Sequence, residues 1–236
     1  MCIFSSNIDY VSTTNIFARI QGQEQFLVYE MYLSTHEETA MVLPIPVVPG
    51  TQKISFQDLS DFPTFFKRLD SLFPMPRGRG RAVAVAAGGP TLEVERVGAF
   101  EASFVPQQAD FNRLDPRFRL SPALLQALPQ YKDYGFAVFQ LAEMDGEVHP
   151  MAFSFPTRDT SKLYFPTVHV HDGEVHEKEE FSHDLYGQGD LTSTTGIRVS
   201  YNMANGMLLQ DIALDSKGIV SGQKEVFKQS LHCLLP

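Results

Sequence analysis

Cysteine is nearly absent from this 236-residue chain: Cys2 and Cys233 are the only two, at opposite ends. Two thiols in a chain long enough to build its own core exclude a disulfide framework, and reduced cysteines are the expectation. Basic charge is also scarce, with 19 Lys and Arg against 28 Asp and Glu, a formal net charge of -9 and a pI near 5.2. Nucleic acid and anionic membranes are held by a concentrated basic footprint, so neither is an expected partner, and small molecules or proteins remain. No run approaches the roughly 20 apolar residues of a membrane span. The start, Met1-Cys2-Ile3-Phe4-Ser5-Ser6, lacks the charged head and apolar stretch of a secretory signal. The expectation is a soluble, cytoplasmic protein. Phosphate loops and a serine-hydrolase elbow are missing too: Gly88-Gly89-Pro90 and Gly187-Gln188-Gly189 read as turns, and no Gly-x-Ser-x-Gly occurs.

What is present is ordinary globular material, 43% hydrophobic and 20% charged, sized for a single domain over 1–236. Ile16 to Ile20 and Phe26 to Leu33 flank the polar Gly22-Gln23-Glu24 and predict a β-hairpin. Ala40 to Val48 continues the β character, but Pro44 and Pro46 cannot donate to a ladder and point to a sheet edge or an outward-facing backbone. Over 61–73, Phe62, Phe65, Phe66, Leu69, Leu72 and Phe73 recur on one helical face, with Asp61 as cap and Pro63 in the first turn. A shorter helix starts at Ser121-Pro122 and stops at Pro129, and 223–232 reads as a helix packing Val226, Phe227 and Leu231. The basic loop 74–81 reads as a solvated connection, followed by strand-like segments 82–87 and 92–105.

The pentapeptide Asp-Gly-Glu-Val-His occurs twice, at 145–149 and 172–176, each time between alternating runs. Asp-Gly in that setting predicts two-residue hairpin turns, and therefore a four-stranded antiparallel meander over 134–182. In that register His149, His169, His171, Glu174 and His176 share one face. His-x-His on a strand places two imidazoles on one side, and a cross-strand residue lies about 5 Å away between Cβ atoms, which suits a metal taking three or four converging donors. His169, His171 and His176 form the expected core of such a site, with His149 or Glu174 completing it. Imidazole donors favour Zn, Fe, Mn or Cu without deciding among them. A closed four-ligand shell would serve structure, and an open position would serve hydrolytic or oxygen chemistry.

Cys2 carries a second reading. Removal of Met1 would expose a thiol nucleophile with its own α-amine as base. Met-Cys at the head of a β-hairpin resembles the cysteine branch of the N-terminal-nucleophile hydrolases. That resemblance implies amide hydrolysis on a four-layered fold, with Arg19 in Phe17-Ala18-Arg19 matching the family's second-strand arginine. The acid expected after that arginine is replaced by Ile20-Gln21-Gly22. The early Cys, the strand Asn15-Ile16-Phe17-Ala18, the run 26–33 and Val42-Leu43-Pro44-Ile45-Pro46 together resemble an uncharacterised bacterial family. Its hallmark is a Val-Leu-Pro-Val-Pro segment; it is usually secreted, has no assigned activity and implies a β-rich fold. The expected architecture is α+β, predominantly antiparallel sheet with two or three peripheral helices, a two-sheet sandwich being the close alternative. The expected function is a metal-binding protein or metalloenzyme, with a Cys2 hydrolase or a non-enzymatic β-rich binding or scaffold protein as alternatives.

Overall fold

The computed structural model describes residues 2–73, 95–97, 100–142, 144–166, 168–176, 179–189, 197–200 and 206–235. In chain order the strands are β1 (Ile3–Phe4), β2 (Tyr10–Gln21), β3 (Glu24–Thr35), β4 (Thr39–Ile45) and β5 (Ser55–Gln57). After helix α1 (Phe65–Asp70) come β6 (Glu95–Val97), β7 (Phe100–Val105), helix α2 (Pro122–Gln126), β8 (Gly135–Leu141) and β9 (Met144–Pro156). The chain continues through β10 (Glu179–Gln188), β11 (Arg198–Val199), helix α3 (Gly206–Asp215) and β12 (Phe227–Leu235). Among the described residues no helix is long and apolar enough to cross a membrane.

The strands form two sheets, one ordered β1-β4-β8-β7-β6 and the other β11-β12-β10-β2-β3-β9-β5. Pairing is antiparallel throughout except between β2 and β10, so the molecule is an α+β protein dominated by antiparallel sheet. Both faces of each sheet are covered, which is why the central strands are apolar on both sides instead of alternating. Ile16, Ala18, Leu27, Tyr29 and Met31 meet Met41, Leu43, Ala137 and Phe139 between the sheets. On the outer face of the seven-stranded sheet, Phe17, Val28 and Tyr186 receive Phe65, Phe66 and Leu69 of α1 and Leu209 and Ile212 of α3. The short helical turns of 108–131 cover the outer face of the five-stranded sheet, burying Phe111, Phe118, Leu124 and Leu128 against Val42, Phe136 and Val138.

Several local expectations hold. β2 and β3 form the hairpin, with Gly22 at φ 63 in its turn. All six apolar residues of 62–73 are buried, although the helix itself is limited to α1 and is capped at Thr64 without a side-chain bond. Ser121 caps α2 by accepting from the Leu124 N–H. Pro44 is tolerated because β1 pairs only with Met41 and Val42, leaving that edge of β4 open at the proline.

The meander over 134–182 is not formed. β8 lies between β4 and β7, whereas β9 lies between β3 and β5 in the other sheet. Asp145 and Gly146 therefore sit inside β9, opposite Ser34 and Leu33. A tight turn loses to the burial of β8, whose residues are almost all inaccessible to water, as a central strand of the first sheet. At the second Asp-Gly, Gly173 does take a positive φ of 82. The bend is closed by Asp172, whose carboxylate accepts from the Glu174 N–H at 3.1 Å, and among the described residues of 163–171 the Ile3–Val170 bridge is the one β pairing. The tail expected as a helix is β12, paired along its length with β10. Gly187 and Gln188, expected in a turn, belong to β10, where a Cβ at 187 would run into the Phe227 ring. The expected loop 74–81 and strand 82–87 lie outside the described residues.

Candidate functional site

The segment 168–171 docks beside β1. The Val170 N–H donates to the Cys2 carbonyl at 3.2 Å and the Phe4 N–H donates back to the Val170 carbonyl at 3.1 Å, a parallel bridge centred on Ile3 and Val170. Ile3, Val168 and Val170 turn outward into the layer under the short helices. By alternation Cys2, Phe4, His169 and His171 turn the other way, into the space between the sheets. The Phe4 and His171 rings confirm the register, with centroids 5.8 Å apart.

His169 and His171 are thereby brought together. His169 Nε2 and His171 Nδ1 are 2.7 Å apart, a single N–H···N hydrogen bond in which one ring donates and the other accepts. Both rings are largely withdrawn from water, and burial lowers their pKa values to about 3 for His169 and about 4 for His171, with the His171 neighbour adding to the effect on His169. Both are neutral at pH 7, the protonation state a metal ligand requires. His169 Nδ1 is buried and bonded to no protein atom.

The other expected ligands lie elsewhere. His176 is on the exposed bend, its Nε2 2.9 Å from the Asp172 carboxylate, close enough to His169 for the two rings to repel electrostatically when charged. Glu174 is exposed on the same bend. His149 has a separate neighbourhood on β9: its Nδ1 lies 3.0 Å from the Pro150 carbonyl, its ring packs edge-on against Phe100, and burial lowers its pKa. It leaves the common face because β9 belongs to the seven-stranded sheet. Among the described residues no three His, Cys, Asp or Glu side chains are already arranged as a metal site.

Cys2 and Arg19 lie on opposite faces of the seven-stranded sheet. Arg19 shares the outer face with Phe17, stacks on Phe26, and donates to the carbonyls of Ile219 and Gly218, both at 2.6 Å. Cys2 is 1% exposed, and burial pushes its thiol up to about 11. At pH 7 the thiolate fraction is then on the order of one in ten thousand, which leaves little nucleophile in the free protein.

Three residues outside the expected ligand set complete this corner: Tyr29 and Thr14, which the sequence did not single out, and His183, which it counted in the histidine cluster without making it a ligand. Tyr29, 1% exposed, projects its hydroxyl toward the Cys2 thiol and the Thr14 hydroxyl without a well-formed hydrogen bond to either. Thr14 is turned inward by a bulge in β2 between Ser12 and Asn15, where Thr13 adopts φ 51. A β-branched residue at positive φ is strained, and bulges serve to re-aim a side chain. His183, paired with Thr14 across β2 and β10, is 5% exposed, and burial above all, with a smaller push from the His169 ring, depresses its pKa. Strand alternation was the one signal for these residues, and it becomes readable only once the strand pairings are known.

No protein-family model matches the chain, and no curated protein matches it significantly. Among solved structures, baculovirus P35 is similar at 16% sequence identity and a TM-score of 0.47, covering 84% of this chain and 76% of that one.

Proposed function

We propose that this chain is a transition-metal-binding protein whose first two ligands are His169 and His171. The observation that carries the reading is the meeting of His169 Nε2 and His171 Nδ1 at 2.7 Å, with both imidazoles held neutral between the sheets. Two neutral nitrogens pointed at one another by a strand edge are two of the donors that Zn, Fe, Mn or Cu takes, and a cation entering between them replaces one hydrogen bond with two coordinate bonds. The orphaned His169 Nδ1 is the ring atom that a solvent or backbone acceptor would fix once the other nitrogen is metallated. The exposed bend carrying Glu174 and His176 follows His171 directly, so a further donor can be supplied from it.

Equilibrium dialysis of chelator-treated full-length protein against Zn(II) tests this function. The expected result is one equivalent retained by the wild type and lost by the His169→Ala/His171→Ala variant. Failure to retain Zn(II), Fe(II), Mn(II) or Cu(II) overturns it.

A further inference from the structure

We infer that Cys2 is a thiolate ligand of the same metal, so that the amino-terminal strand closes the site and the preferred cation is thiophilic. The inference rests on the metal-binding reading and adds the ligand that fixes its chemistry.

The argument starts from register. In the parallel bridge between Ile3 and Val170, the residues before and after each partner lie side by side on the opposite face, which pairs Cys2 with His169 and Phe4 with His171. The second pair is seen in ring contact at 5.8 Å, so the first follows from the same backbone geometry. Adjacent strands lie about 4.8 Å apart, which leaves the Cys2 sulfur and the His169 ring as neighbours projecting into one space. Cys2, His169 and His171 are thus drawn from segments far apart in the sequence to one short stretch of the fold, close by register but not yet a preassembled three-ligand group. Closing them on a cation requires opening the His169–His171 hydrogen bond.

A second observation concerns Tyr29. A fully buried hydroxyl without a well-formed hydrogen bond is costly, and this one has the Cys2 thiol and the Thr14 hydroxyl as its polar neighbours. A thiol is a poor acceptor, whereas a thiolate accepts strongly. The Tyr29 O–H is therefore a donor placed for the deprotonated form of Cys2, the role that hydrogen bonds to ligand sulfur play around metal–thiolate centres. Metal entry breaks the Cys2 S–H bond, forms a sulfur–metal bond and releases the proton to solvent. The cation supplies the charge that lets a buried thiolate exist.

Thiolate with imidazole selects zinc, cobalt or copper over magnesium, calcium or manganese. Because Cys2 and β1 are contiguous, bound metal would add to the docking that β1 already has through β4 and Val170.

The test is titration of the reduced full chain with Co(II), followed by absorption spectroscopy. Expected are visible d–d bands of a low-symmetry site together with a near-ultraviolet thiolate-to-cobalt charge-transfer band at one equivalent. Cys2→Ser is expected to abolish the charge-transfer band, keep d–d bands from the histidines and weaken binding at least about tenfold, while Cys233→Ser leaves every band unchanged. Visible bands without a charge-transfer band in the wild type overturn the Cys2 assignment and leave the histidine site standing. A charge-transfer band that persists in Cys2→Ser and vanishes in Cys233→Ser does the same. Absence of all cobalt bands overturns the metal-binding reading and this inference with it. The wild-type spectrum decides the matter even if the serine variant folds poorly.

Discussion

Two polar clusters occupy opposite faces of the seven-stranded sheet, and they are built on opposite principles. On the outer face Lys228 Nζ lies 2.7 Å from both the Asp70 and Asp184 carboxylates, Tyr186 donates to Asp70 at 2.7 Å, and Ser230 bonds Asp184. That cluster is charged and matched partner for partner. On the inner face Cys2, Tyr29, His169 and His171 are neutral, and Tyr29 Oη and His169 Nδ1 lack well-formed bonds. Charges leave water only in matched sets, so the saturated outer cluster has the character of a structural clamp fixing the end of α1 to β10 and β12. The inner cluster lacks a charge for its orphaned atoms to answer, which is what the proposed metal-binding reading expects of a donor set before its cation.

The sharpest way to break this contrast is Lys228→Met. The ammonium is 9% exposed, whereas the two carboxylates it serves are about half to a third exposed, at 41% and 29%. Removing it leaves two acids facing each other under the last turn of α1. Partial access to water moderates the penalty, so the expected loss is about 2–3 kcal/mol of unfolding free energy in urea melts, just below the about 3–5 kcal/mol of breaking a fully buried pair. A loss below about 0.5 kcal/mol, the range of exposed pairs, would make the outer cluster ordinary surface polarity and dissolve the comparison.

Proton linkage separates the clusters next. His169 and His171 have folded pKa values of about 3 and about 4 against an ordinary 6.5, and His183 is depressed in the same direction. Below pH 6.5 the unfolded chain takes up protons that the folded chain refuses. Stability is therefore whole above pH 6.5 and falls as the pH is lowered toward about 4. The outer face behaves in the reverse sense through Glu30, whose carboxyl is pushed up to about 8, first by burial and then by Glu147 and Asp70, against the opposing hydrogen bond from Asn15. Here the folded chain holds a proton that the unfolded chain has lost, so stability declines as the pH rises from about 4.5 to about 8. Glu30→Gln is expected to remove the alkaline decline and leave the acid one; His169→Ala is expected to soften the acid decline alone. Urea midpoints measured between pH 4 and 9 check both.

The difference between what could be read from the sequence and what could not follows the range of the interactions. The apolar face of 62–73, the Ser121 cap, the hairpin of β2 and β3 and the shared face of His169 and His171 depend on residues a few positions apart, and each is visible in spacing. The Asp-Gly of 145–146 misleads because a turn preference of this size is outweighed when twelve-residue strands are available for pairing. β12 reads as a helix because Val226, Phe227 and Leu231 also fit a helical spacing, and its strand identity comes from β10 alone. The adjacency of Cys2 and His169 has no local trace, since it exists only through a parallel bridge between chain segments far apart in sequence. The amino-terminal cysteine and one pair of the predicted histidines, His169 and His171, thus come to neighbouring places in the fold.

The smallest expected effect on stability is the most discriminating. Tyr186 and Tyr29 are both buried on the same sheet, one with its hydroxyl bonded to Asp70 and the other with its hydroxyl unmatched. Tyr186→Phe removes a hydrogen bond to a charged acceptor and is expected to cost about 1.5 kcal/mol. Tyr29→Phe removes an atom that bonds nothing well, so metal-free protein is expected to change by less than about 0.5 kcal/mol or to gain slightly, since an unsatisfied buried hydroxyl is itself a cost. With metal the order reverses: Tyr29→Phe is expected to weaken Co(II) binding about tenfold through loss of the donor to the Cys2 sulfur, whereas Tyr186→Phe leaves it unchanged. Equal costs for the two tyrosines without metal would mean that the Tyr29 hydroxyl is already satisfied, and the inner cluster would then be as complete as the outer one.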